Sequence, residues 1–312
     1  MELSAFSELF CMIFRQNRLE RFCNASVVES FYRLTELLSA FNAHTNLTAI
    51  RETPDIIAKH YADCLLAEPY FRREETVLDL GCGGGFPTLP LAIVRSDLQI
   101  TGLDSTQKKI TFVRQAAQTL GLSNVRCICA RAEDASLRRL HAGFDVVASR
   151  AMARMNVLSE MALPFVRVGG RLIAYKGAHG GEELQEAASA LHILGCGEAQ
   201  DVPLRLILPG AAADPGKSSE PNRVAAPGTS RSPDALGKSA APGTSRSPDA
   251  PGKPGAPDKP PAAPNTPGEP GAGGRNGSDV PGESRHLLVA SKLHPTPPQY
   301  PRAYAAILKK PL

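Results

Sequence analysis

No two cysteines in this chain are spaced C-x-x-C, no apolar run reaches the length of a membrane span, and Glu2 and Glu8 stand where a leader would carry basic residues. The seven thiols, odd in number and without a secretory context, read as reduced cysteines of a cytoplasmic protein, with no metal centre. The other two absences take export and membrane anchoring out of the reading. A further gap is regional: between Pro209 and Pro281 there is no Phe, Tyr, Trp or Ile, while 16 of the 27 prolines fall there. Such a stretch buries too little to offset the entropy of ordering. A near repeat, APGTSRSPDALGKSA from Ala226 and APGTSRSPDAPGKPG from Ala241, marks it as low-complexity expansion. Residues 209–284 are therefore expected to be a disordered insert. With eight basic and eight acidic residues between Gly210 and Ser284 it is neutral, so the net charge of +4 sits on the rest. That balance permits an RNA partner without demanding one.

What the sequence does hold is organised around Thr76 to Ile93, TVLDLGCGGGFPTLPLAI. A short apolar run ends at Asp79, closely spaced glycines follow, and an apolar pattern resumes from Pro87 to Val94. Strand, glycine loop and helix make a nucleotide-type pocket. The dinucleotide fingerprint G-x-G-x-x-G fails, because Phe86 or Thr88 falls at its last position, and no Lys between Thr76 and Val94 can close a phosphate loop. What remains is D-x-G-x-G-x-G, similar to motif I of the S-adenosylmethionine methyltransferases. Those enzymes hold the ribose with an acid at the end of the next strand, and Asp104, ending LQITGLD, stands at that place. The plainer reading of Asp104 is a cap for the helix that begins near Ser105.

Along the chain, Met1 to Phe14 and Ala25 to Phe41 have apolar residues at helical spacing. FNAHTNLTAI is too rich in Asn and Thr to continue the second helix, and Thr53-Pro54 starts another that places His60 and Asp63 on one face. Ser105 to Leu120 reads as a helix stopped by Gly121. Strands are expected at Thr76–Leu80, Leu98–Asp104, Asn124–Ala130, Phe144–Ser149 and Gly170–Lys176, with Cys127 and Cys129 facing the core. Alternation with helices implies a parallel sheet. Asp201–Leu208 and Arg285–Lys292 are two more strands, able to pair as an edge hairpin because closing a long loop costs only logarithmically more. The insert would then emerge from that hairpin on the cofactor side.

Taken together, the ordered set Asn46-Leu47-Thr48, His60 with Asp63, the GxGxGFP loop with Pro90, Leu103-Asp104-Ser105 with Lys108-Lys109, Arg131-Ala132-Glu133, Ser149-Arg150-Ala151, Lys176-Gly177, Arg285-His286-Leu287 with Lys292, and Tyr300-Pro301-Arg302 resembles the ribosomal RNA small subunit methyltransferase G family, also called glucose-inhibited division protein B. The resemblance implies an α/β, Rossmann-like S-adenosylmethionine methyltransferase fold: a mostly parallel seven-stranded sheet, helices on both faces and an N-terminal helical cap. The domains would be cap 1–72, methyltransferase domain 73–208, insert 209–284, and last strand with tail 285–312. It implies methyl transfer to guanine N7 of 16S rRNA near the decoding site, by a monomer acting on that RNA or the small ribosomal subunit. The cofactor residues would be Asp79, Gly81, Gly83, Gly85, Phe86, Asp104, Ala132, Glu133 and Arg150. Arg150, Lys176, His60 and Asp63 would serve catalysis, with Arg150 and Lys176 facing the RNA and Arg302, Lys309 and Lys310 extending the basic surface.

The absence of a Pro-Cys nucleophile, and Ser149-Arg150-Ala151 in place of Asn-Pro-Pro-aromatic, favour a ring nitrogen as acceptor. Cys64, Cys82, Thr88, Ala305 and Ile307 depart from the family pattern. Two other readings stay open at this point: a methyltransferase for a small molecule or protein, and an RNA-binding scaffold that holds S-adenosylmethionine without turnover.

Overall fold

In the computed structural model the described residues are 1–210 and 282–312. Within them lie the strands β1 (Thr76–Leu80), β2 (Gln99–Asp104), β3 (Val125–Cys129), β4 (Phe144–Arg150), β5 (Val166–Lys176), β6 (Cys196–Leu206) and β7 (Glu283–Lys292). They form one sheet in the order β3-β2-β1-β4-β5-β7-β6. β1 to β5 pair in parallel, and β7 lies antiparallel between β5 and β6. Strand order reverses at β1, which has β2 on one side and β4 on the other, so the carboxyl ends of these three strands open the crevice in which such sheets bind ligands.

Alternation along each strand sends side chains to two separate apolar clusters. Val77, Ile100, Val146, Ala148, Ile173 and Leu287 join the first, while Leu78, Leu103, Val147, Leu172, Ala174 and Leu288 join the second. The first cluster also holds the apolar faces of α1 (Leu3–Gln16) and α2 (Ala25–Thr45), where Phe10, Phe14 and Phe31 are fully buried. The N-terminal helices therefore share one core with the sheet; each such Phe contributes about 1.5–3 kcal/mol by leaving water. On the same side come α3 (Thr53–Ile56), α4 (Asp63–Leu65), α5 (Thr88–Val94) and α6 (Gln107–Thr119). The second face is covered by α7 (Met155–Ala162), α8 (Gly180–Glu186), α9 (Ala188–Ile193) and α10 (Tyr304–Lys309).

Element ends show where local chemistry overrides the sequence pattern. α2 runs four residues beyond Phe41, to Thr45, because Asn42 turns inward and its amide both donates to the Thr48 carbonyl (2.9 Å) and accepts the Thr48 N–H (3.1 Å). The helix expected from Ser105 begins at Gln107, since Ser105 and Thr106 are drawn into a turn by the Thr106 N–H bonding to Asp104 Oδ1 at 2.8 Å. Gly121 does follow α6, at φ +67, a left-handed conformation that suits glycine. Between α3 and α4, Ile57–Ala62 is wound with wider i→i+5 bonds, a form that recurs at functional sites. β3 is an edge strand, so Cys129 is exposed rather than core, while Cys127 is half-buried and packs against the first cluster.

β6 begins at Cys196, earlier than expected, and β7 at Glu283; Leu206 pairs with Glu283 at the tip of the edge hairpin. Most of the stretch expected to be disordered lies outside the described residues. No helix among the described residues is long and apolar enough to cross a membrane.

Candidate active site

A cavity of about 560 Å³ opens at the carboxyl ends of β1, β2 and β4. Its floor is the glycine loop, tied down by main-chain bonds: the Gly81 and Cys82 N–H groups donate to the Leu103 carbonyl at 2.8 and 3.0 Å, and the Gly83 N–H donates to Asp104 Oδ2 at 3.1 Å. Gly81 is required as glycine by its φ of +74; a Cβ there would also press on Met152 Sδ at 2.3 Å, the far end of a flexible side chain. Asp104, 8% exposed, thus caps the Thr106 amide with one oxygen and holds the loop with the other. Each carboxylate oxygen has two acceptor sites, so Asp104 ties the turn before α6 rather than capping the helix itself, and acceptor capacity remains for hydroxyl donors.

Beneath the loop, Asp79 is buried and turned away from the cavity. Its Oδ2 accepts the Thr88 N–H (3.1 Å) and hydroxyl (2.6 Å), while Oδ1 has no partner within the protein. Burial pushes its carboxyl up to about 6. Thr88, the irregular position of the motif, therefore anchors the acid that ends β1 to the first turn of α5.

The opposite side is assembled from distant segments. Arg150, at the end of β4, donates from Nε to Asp63 Oδ2 (2.9 Å) and from Nη2 to the Lys59 carbonyl (2.6 Å). The other oxygen of Asp63 accepts Arg285 Nε at 2.8 Å. One buried carboxylate thus holds two guanidinium groups. His60 and Asp63 do not touch each other through their polar atoms: His60 Nε2 bonds to Thr48 Oγ1 at 2.9 Å, and its ring stacks on Phe86 at 4.3 Å with an interplanar angle of 6°. Burial, with the Arg150 charge as a second cause, pushes the His60 imidazole down to about 3. Its Nδ1 is buried without a protein partner.

Of the residues singled out in the sequence, the cavity brings together His60, Gly81, Gly83, Phe86, Asp104, Ala132, Glu133 and Arg150. Asp63, Asp79 and Gly85 stand behind it as supports. Lys176 is elsewhere: its ammonium sits on the Ala153 carbonyl (2.7 Å) and Glu183 (2.8 Å), buried, so the structure does not give it the RNA-facing place expected. Arg302 likewise does not extend a basic surface but closes on the buried Glu160. Met152, Met161 and Tyr304 line the cavity without having been singled out; nothing in their local pattern marks them. Among the described residues no group of three or more His, Cys, Asp or Glu could hold a metal ion.

The model of one protein family, rRNA small subunit methyltransferase G, matches residues 27–203, from α2 into β6. The chain belongs to that family. Proteins named ribosomal RNA small subunit methyltransferase G in Clostridium perfringens (43% identical over 175 residues, 55% of this chain and 73% of the relative), Deinococcus deserti (45% over 174 residues, 55% and 71%) and Exiguobacterium sibiricum (40% over 200 residues, 63% and 81%) are similar to it. Among solved structures, a precorrin-6y C5,15-methyltransferase of Geobacter metallireducens is 16% identical, with a TM-score of 0.36 over 52% of this chain and 81% of that one. The match to the methyltransferase G family takes in the loop, Asp104, Glu133 and Arg150, but stops short of Arg285 and Tyr304. The family segment thus builds the cavity floor, and the last strand and tail add one support and one wall.

Proposed function

We propose that this chain transfers a methyl group from S-adenosylmethionine to N7 of a guanine in 16S ribosomal RNA, near the decoding site of the small subunit. The observation that carries the reading is the cavity's two-sided composition. A glycine-lined floor with an acid at the end of β2 suits a nucleoside bearing a sulfonium-linked amino-acid chain, and the far side offers Arg150 and an imidazole held neutral. The fit to the cofactor rests on chemistry present here: Asp104 retains acceptor capacity for ribose hydroxyls, Ala132 and Glu133 offer an adenine edge an apolar contact and an acceptor, and Met152 and Leu103 flank the loop.

When bound, S-adenosylmethionine supplies an electrophilic methyl on a sulfonium. Guanine N7 carries a lone pair and no proton, so attack by it needs no general base. A histidine that protonates only near pH 3 is a poor base, which supports a proton-free acceptor. What the residues supply is alignment and exclusion of water. The His60–Phe86 stack closes one wall. Asp63 and the Lys59 carbonyl fix Arg150, whose Nη1 is left for a base or phosphate of the RNA. We read the chain as acting as a monomer, and a ribosomal substrate implies the cytoplasm.

The test is mapping of methyl incorporation from labelled S-adenosylmethionine into purified small subunits. One N7-methylguanine per 16S molecule is expected; label on another atom, or transfer that proceeds without RNA, would overturn the proposal.

A further inference from the structure

β7 runs against the parallel strands, so it leaves the sheet at the end away from the cavity, and the chain then returns. The return is fastened at both ends. The Leu293 and His294 N–H groups bond to the Gly195 carbonyl at 2.9 Å each, and Thr296 Oγ1 donates to the Leu163 carbonyl at 3.2 Å. At the far end Arg302 grips Glu160 with its backbone N–H (2.9 Å) and Nε (2.8 Å), and Glu160 is 0% exposed. Ile307 of α10, also 0% exposed, plugs into the cluster that contains α7. Taking a carboxylate out of water costs several kcal/mol unless it is fully paired. Here full pairing offsets that cost and fixes a C-terminal segment whose one side chain in the cavity is half-buried Tyr304, in a lining that also includes Met152 and Met161.

We propose that the Tyr304 ring is a stacking wall for a purine in this cavity, a binding contact supplied by the last helix. This rests on the methyl-transfer reading, in which two purines occupy the site, the adenine of the cofactor and the guanine of the RNA. An aromatic ring in a lining that also holds two soft thioethers is suited to a base plane, and removing such a ring commonly costs a factor of about ten or more in affinity. The neighbouring polar groups, Glu133 and Asp104, address edges and hydroxyls and leave the face of a base to Tyr304.

The test uses the full chain with Tyr304→Phe and Tyr304→Leu, thermal melts confirming the fold; Tyr304→Met is read in the same way if the leucine variant does not fold. Calorimetry with S-adenosylhomocysteine, in the absence of RNA, reads the adenine arm. The KM for small subunits at saturating S-adenosylmethionine reads the guanine arm. The leucine variant is expected to lose about tenfold in one arm or both, while the phenylalanine variant stays within about twofold of wild type. Wild-type behaviour of the leucine variant in both arms would overturn the proposal, as would a phenylalanine variant as weak as leucine. Failure of the wild type to methylate small subunits would instead strike the underlying reading.

Discussion

One side of the cavity is main chain and the other is a web of charged side chains. The floor runs from Asp79 to Asp104, with its loop hydrogen bonds among neighbouring segments of β1, β2 and α5. The far side depends on Asp63 reaching Arg150, 87 positions away, and Arg285, 222 positions away. The floor is pre-shaped by backbone geometry and tolerates loss of a side chain. The far side has less reserve, because removing the carboxylate strips Arg150 of its one ion-pair partner among the described residues and leaves Arg285 with Glu283 alone.

The sharpest break between the two sides is expected from Asp63→Ala, which should cost about 3 kcal/mol in urea unfolding, as stranded charges do; a loss below about 1 kcal/mol would mean the web carries little. Next comes a pH effect. The folded His60 imidazole protonates near 3 and the unfolded one near 6.5, so below 6.5 the unfolded chain takes up the proton first. The stability it contributes is complete above pH 6.5 and is lost as pH falls towards 3; between pH 7 and pH 5 the loss is about 2 kcal/mol. The buried Asp79 carboxyl, pushed up to about 6, acts in the opposite sense over the same window, about 1 kcal/mol gained from pH 7 to pH 5, so in urea titrations at the two pH values the His60 slope should stand as the difference between wild type and His60→Phe. On the floor, Asp104→Ala should weaken S-adenosylhomocysteine binding about tenfold, about 1.4 kcal/mol, in calorimetry while unfolding shifts by about 1 kcal/mol or less. The smallest effect belongs to Lys176→Met: cofactor affinity within about twofold of wild type, since the ammonium is spent on Ala153 and Glu183, outside the cavity.

The same contrast explains what the sequence discloses. β1, β2 and β4 are apolar runs buried on both faces, and the glycine loop is a contiguous word, so the sheet and the cavity floor could be read directly. The double pairing of Asp63 could not: spacing places His60 and Asp63 near one another and says nothing of a strand more than two hundred positions later. Lys176 reads as a basic strand end facing the RNA only until Glu183, in the first turn of α8, closes on it. Asn42 looked like a helix breaker because its amide has many possible partners, and the Thr48 backbone that it satisfies becomes visible only in three dimensions. Tyr304 is one tyrosine in an Ala-rich tail, and what gives it meaning is the buried Glu160.

The pairing of Leu206 with Glu283 has an architectural consequence. Two chain ends that leave a sheet as the two partners of one rung are already joined in space, whatever is written between them. The register of β6 and β7 is set by the rungs below, so lengthening or shortening the joining stretch is a matter of tether length rather than of topology. This corner is where the gene can grow or be trimmed without redrawing the enzyme, and where the polypeptide could be opened to give it new termini.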